Sequence, residues 1–129
     1  MGAMQRRKGA SGEREIASLL GQYLGAEVVR NLEQTRSGGH DLLGIEPFAL
    51  EVKRCERVTI PVWWRQACEQ IGPDQVPVVA YRQSRKPWVF ILPLRFVIDQ
   101  EIPESMYPTC EMGIEGFCLL AREIIADAA

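Results

Sequence analysis

The 129 residues are 47% hydrophobic, enough to enclose one core and too few for two ordinary domains, so one domain over residues 1–129 is expected. No apolar run approaches the roughly 20 residues that a membrane helix needs, and no apolar stretch follows the basic residues near the amino terminus, so a cytoplasmic protein of a bacterial or phage-infected cell is expected. The net charge of −2 argues against a uniformly basic nucleic-acid binder, but from Asp99 onward seven acidic residues stand against Arg122 alone, leaving 14 basic and 10 acidic residues in the first 98.

Gly2-Ala3-Met4 has the look of an expression tag, and with Arg6, Arg7 and Lys8 the first nine residues read as a flexible basic arm. Residues 10–24, ASGEREIASLLGQYL, set Ile16, Leu19, Leu20, Tyr23 and Leu24 on one helical face, with Ser11 as N-cap and Gly25 as stop. At about 100° per residue Glu13 falls within the apolar stripe while Glu15 points the opposite way. An acid aimed at the core is costly unless something pairs with it. The alternative is a first-turn acid that caps the helix and escapes to solvent.

Three strands follow, Glu27–Leu32, Asp41–Ile45 and Phe48–Arg54, separated by EQTRSGGH and by Glu46-Pro47, and they read as an antiparallel meander. In TIPVWWRQACEQIG, residues Ile60, Trp63, Trp64, Ala67, Cys68 and Ile71 keep a helical register, with Pro61 in the first turn and Gly72 past the end. Trp63 and Trp64 are most simply core residues, with a base-stacking platform or a dimer contact as the other readings. VPVVAYR and PWVFILPL are apolar runs around a basic QSRK turn and suit interior strands covered on both faces. Residues 99–116 mix prolines, glycines and acids without a period and read as an acidic loop; FCLLAREIIADAA leaves strand-then-helix open. Cys55, Cys68, Cys110 and Cys118 contain no CxxC spacing and accompany a single histidine, so buried free thiols are expected in place of a metal or disulfide set.

GGHDLLGIEPFALEVKR, residues 38–54, holds the charged constellation. Alternate strand residues share a face, so Glu51 and Lys53 project together, away from Leu50 and Val52. Whether Asp41 joins them depends on the loop at Glu46-Pro47. A two-residue loop pairs Asp41 with Val52 on the wrong face; a three-residue loop or a bulge pairs it with Lys53 and gathers all three. Two carboxylates so placed suit one hard divalent cation such as Mg2+ or Mn2+, and a lysine beside them suits an activated water and a scissile phosphate. Glu13, sent inward from the first helix, would complete the acidic cluster.

The spacing Asp41, nine residues, Glu51-Val52-Lys53 resembles the active-site motif of the PD-(D/E)XK nuclease superfamily, in which a helix precedes a strand meander and a second helix follows the ExK strand. KGASGERE from Lys8, SGGHD from Ser37 and EVK from Glu51 are similar to the archaeal-type Holliday junction resolvases, and small phage-encoded nucleases of the superfamily match equally well. The match runs over roughly residues 6–70; His40 stands where the name-giving proline would be. The resemblance implies an α/β, restriction-endonuclease-like fold with a central mixed sheet flanked by helices (an αβββαβ core). It implies magnesium- or manganese-dependent hydrolysis of DNA, with Asp41 and Glu51 as metal ligands, Lys53 as the catalytic lysine, Glu13 as the helix acid and Gln66 of WWRQA as a further site residue. His40 is read as a solvated loop residue, and Gln66 equally as a surface glutamine. Arg6, Arg7 and Lys8, and after them Arg36, Ser37, Arg85 and Lys86, are candidate DNA phosphate contacts. A homodimer is expected, since many such nucleases cut two strands. The alternatives are a catalytically silent binding module on the same fold and an RNA-directed nuclease.

Overall fold

Two long strands alternate their side chains between opposite faces, and that alternation decides how the layers stack. The computed structural model describes residues 2–32, 40–98 and 108–128, with side chains from Gly9 onward. In order the elements are α1 (Gly2–Leu24), β1 (Val29–Arg30), β2 (Leu42–Leu43), β3 (Phe48–Cys55), α2 (Ile60–Gln70), β4 (Val76–Gln83), β5 (Val89–Pro93), a 3-10 turn (Leu94–Phe96), β6 (Thr109–Met112) and α3 (Ile114–Ala128). The main sheet runs β3-β4-β5-β6. β3 and β4 are parallel, with Glu51 beside Val79 and Lys53 beside Tyr81; β5 and β6 are each antiparallel to the strand before them in the sheet.

On one face Phe48, Leu50 and Val52 of β3 and Val78 and Ala80 of β4 pack against Ile16, Ala17 and Leu20 of α1 and Phe117, Cys118 and Ala121 of α3. Phe117 stacks on Phe90 with centroids 4.5 Å apart and meets Phe48 edge-on at 5.2 Å. The other face buries Trp63, Trp64 and Ala67 of α2 against Val79, Tyr81 and Ile91. This is the α/β fold with a mixed sheet between helices that the sequence leads one to expect, and the twin tryptophans are core residues, not a stacking platform or dimer contact.

Several local expectations need correction. α1 reaches back to Gly2, so the backbone of residues 2–9 is helical where a flexible arm was expected, and Ser11 is an exposed mid-helix residue, not an N-cap. The physical reason is that Ala3 to Ala10, Gly9 apart, are good helix formers and supply no stop. Gly25 does close the helix, at φ +64° with its N–H on the Gly21 carbonyl at 2.9 Å. The meander is also incomplete. Among the described residues β1 and β2 pair only with each other, Val29 with Leu43 and Arg30 with Leu42. Gly44 ends β2 by taking φ +103° where a Cβ would overlap the Glu27 carbonyl. Residues 99–107 lie outside the described residues, but the rest of the expected acidic loop is ordered: Thr109–Met112 is a strand, and α3 begins at Ile114 and continues through FCLLAREIIADA. Cys110 and Met112 alternate into the core in β6, a pattern too short to stand out between Pro108 and Gly113.

All four cysteines are free. No helix among the described residues is long and apolar enough to cross a membrane. The aromatic stack is where the α1–α3 face concentrates its volume, so Phe117→Ala is expected to lower unfolding free energy by about 3–5 kcal/mol in denaturant titration; a loss below about 1 kcal/mol would mean that the stack can collapse around the gap.

Candidate active site

β3 is an edge strand of the main sheet, and its free edge is closed by one residue instead of a ladder. Asp41 donates its N–H to the Leu50 carbonyl at 2.8 Å, and its Oδ2 accepts the Val52 N–H at 2.6 Å. On its other side the Asp41 carbonyl accepts the Asn31 N–H at 2.8 Å, and the Asn31 side-chain amide donates to the His40 carbonyl at 3.0 Å. The aspartate is thus tied to the segment after β1 and to β3 at once. Neither loop parity read from the sequence applies: Asp41 stands against the two peptides that flank Glu51, opposite neither Val52 nor Lys53, because its side chain has taken a rung that a backbone carbonyl would otherwise fill.

Both acids are buried, Asp41 and Glu51 each at 8% exposure. Lys53, half-buried, follows Glu51 on the same face of β3, the face that α2 covers. Glu13 comes from α1 around the strand edge, is half-buried, and pairs with Arg30 of β1, whose Nε lies 3.3 Å from its Oε2. It therefore does not escape to solvent. Burial drives the Glu51 carboxyl up to about 8, helped by the Asp41 charge and opposed by Lys53; a hydrogen bond with Asp41 and the charge of Glu13 push the same way. Burial, and after it the Asp41 charge, also raise Glu13, while Arg30 and Arg14 oppose. Burial and mutual repulsion thus favour a proton in the carboxyl pair, and a cation placed there would relieve the same repulsion. Among the described residues no group of three or more His, Cys, Asp or Glu side chains stands ready to hold a metal; the close set is the carboxyl pair.

The other expected site residues scatter. Gln66 is exposed on α2, the helix over the Glu51–Lys53 face. His40 is half-buried directly before Asp41. Arg85 and Lys86 are exposed in the β4–β5 turn, at the same end of the parallel pair as Lys53. Arg6, Arg7 and Lys8 lie on the helical backbone of α1, their side chains outside the described residues, as Arg36 and Ser37 are entirely. Two residues were missed. Arg30 answers the need of an inward Glu13 for a partner, a need the helix pattern announces without naming who meets it. Glu15, read as pointing away from the apolar stripe, is half-buried among Arg54, Arg82 and Trp88.

A family model described as "Phage putative PDDEXK endonuclease" matches residues 4–120. Among solved structures, the Holliday junction resolvase Hjc of the archaeal hyperthermophile Archaeoglobus fulgidus matches with a TM-score of 0.56 and 22% identity, over 86% of this chain and 95% of that one. At that identity the likeness concerns the fold. Among curated proteins none matches.

The raised Glu51 carboxyl has a signed consequence for stability. The folded chain keeps to about 8 a proton that an unperturbed glutamate gives up at 4.5, so the stabilisation is full below 4.5 and is lost as pH rises through about 8. Glu51→Gln keeps the shape and removes the titration. In EDTA, between about pH 5 and pH 9, its melting temperature should fall less than that of the parent, and at the alkaline end it should be the more stable protein. Equal slopes for the two would show that Glu51 is ionised throughout.

Proposed function

The chain belongs to the phage PDDEXK endonuclease family, and we propose that it is a divalent-cation-dependent endodeoxyribonuclease whose centre is Asp41, Glu51 and Lys53, with Glu13 beside them. The observation that supports this most directly is the buried carboxyl pair at the β3 edge, one member bonded to the main chain and the other raised by burial and by its neighbour's charge, with a lysine on the same face.

The donors fit the cation. Two hard carboxylates are what magnesium ordinarily takes from a protein, its other positions going to water and substrate phosphate, and manganese accepts the same set. Asp41 and Glu51 would hold it, Glu51 releasing its proton, so that affinity rises with pH. When bound, the cation supplies charge shielding for the scissile phosphate and a more acidic water. Lys53 places its ammonium where charge develops on the phosphoryl oxygens and where an attacking water can be oriented. Glu13, its charge balanced by Arg30, contributes the third acid at the strand edge. Gln66, exposed on α2, would join the centre only through solvent or substrate.

Arg85 and Lys86 lie beyond the same end of the β3–β4 pair as Lys53, and with Arg6, Arg7, Lys8, Arg36 and Ser37 they would track the DNA backbone. Contacts of that kind read the shape of a substrate more than its bases, which suits branched DNA; the fold likeness to a Holliday junction resolvase is in keeping with this. Two-strand cleavage would call for a homodimer acting where phage and host DNA are in reach, in the infected cytoplasm. With Trp63 and Trp64 buried, its interface would draw on other apolar surface, such as exposed Leu119 and Val97.

The test is cleavage of a four-way junction, a flap, a single strand, a linear duplex and an RNA with magnesium or manganese. Cleavage is expected to be strongest on branched DNA, to stop in EDTA, and to fall at least about 100-fold in Glu51→Ala and Lys53→Ala. Binding without cleavage of any substrate would leave a silent binding module as the better account, and preferential cutting of the RNA would move the substrate class.

A further inference from the structure

Glu15 takes no part in the chemistry above, yet three elements meet on it. Its Oε2 accepts from Arg54 Nη1 of β3 at 3.1 Å. Its Oε1 accepts from Trp88 Nε1, just ahead of β5, at 2.8 Å, and from Arg82 Nη1 of β4. Arg82 is itself braced, its Nε donating to the Lys86 carbonyl at 2.8 Å. One turn earlier on α1, a Cβ on Gly12 would overlap the Arg54 Cγ, so the helix backbone rests directly on the arginine stem. Arg54 and Lys53 are successive strand residues and project to opposite faces. α1 therefore grips β3 from one side at the level where β3 presents the lysine on the other.

The apolar stripe of α1 fixes which side of the helix faces the sheet, but apolar contact is non-directional and leaves a little roll and slide. Charge-assisted hydrogen bonds are directional and remove that freedom. Positions 13 and 15 are about 200° apart around the helix. Once Glu15 is seated on Arg54, Arg82 and Trp88, Glu13 is committed to the opposite flank, where it meets Arg30 and comes within the field of Asp41 and Glu51.

We infer that Glu15, seated on Arg54 over Gly12, is a positioning residue of the nuclease centre: it sets the roll of α1 over β3 and so the place of Glu13 beside Asp41 and Glu51. The inference rests on the nuclease reading above for its activity readout.

The test is a double-mutant cycle with magnesium and the best DNA substrate, each protein assayed well below its own melting temperature. Glu15→Gln keeps the side-chain volume and removes the charge. It should lower kcat about ten-fold while KM, and the Kd for the same DNA in EDTA, stay within about two-fold. In a Glu13→Ala background Glu15→Gln should change kcat by less than about two-fold, because Glu15 acts through Glu13. Gly12→Ala leaves every charge in place and lifts α1 from Arg54; it should reproduce the kcat loss, and it carries the test if Glu15→Gln does not fold. The rise in melting temperature on adding magnesium, which needs no turnover, should shrink in both single variants. Losses that add in the cycle, or an unchanged kcat in a folded Glu15→Gln or Gly12→Ala, would overturn the positioning role and leave the nuclease reading standing. A parent protein that cleaves nothing would instead remove the nuclease reading and this inference with it.

Discussion

The Val52 N–H donates to Asp41 Oδ2 at 2.6 Å, and the candidate centre depends on that bond. An edge strand leaves alternate backbone groups without a ladder partner, and a buried donor left unpaired costs about 1–3 kcal/mol. Here a carboxylate fills the gap. It does so from a residue whose own main chain is anchored to Asn31 and Leu50, so Asp41 has little room to retreat from Glu51. Two acids are thereby held together out of water, and the raised Glu51 carboxyl follows from that confinement.

The geometry on either side of β3 divides the labour. Its inward residues Phe48, Leu50 and Val52 join the larger core with α1 and α3, while Glu51 and Lys53 share their face with the smaller tryptophan-rich core under α2. Arg54 returns to the α1 side and is taken up by Glu15.

What the sequence makes legible follows from what its periodicities encode. Glu51 and Lys53 fall on one face because the period of a strand is two, and Glu13 faces inward because the period of a helix places it among Ile16, Ala17 and Leu20. Asp41 is legible as a member of the cluster but not in its register, since strand parity counts backbone rungs and this rung is filled by a side chain. Glu15 was illegible for another reason. Helical angle reports direction relative to the apolar stripe, and the side away from the stripe is covered at Glu15 by Arg54, Arg82 and Trp88, which are 39, 67 and 73 residues away in sequence. β6 escaped notice because four residues give alternation too few cycles to be seen, and the strand exists through its pairing with β5.

Asp41 is bound to peptide groups, and peptide groups are the same whatever side chain they carry. Leu50 and Val52 can exchange one apolar residue for another, within the limits of core volume, without disturbing the aspartate that hangs on their backbone; among single residues at position 52, proline alone removes the donor. A lineage built on this anchor can rewrite most of the strand beside its acids while the acids stay where they are. Its members would then be recognisable by a few charged positions and a common shape long after the sequence between those positions has ceased to align.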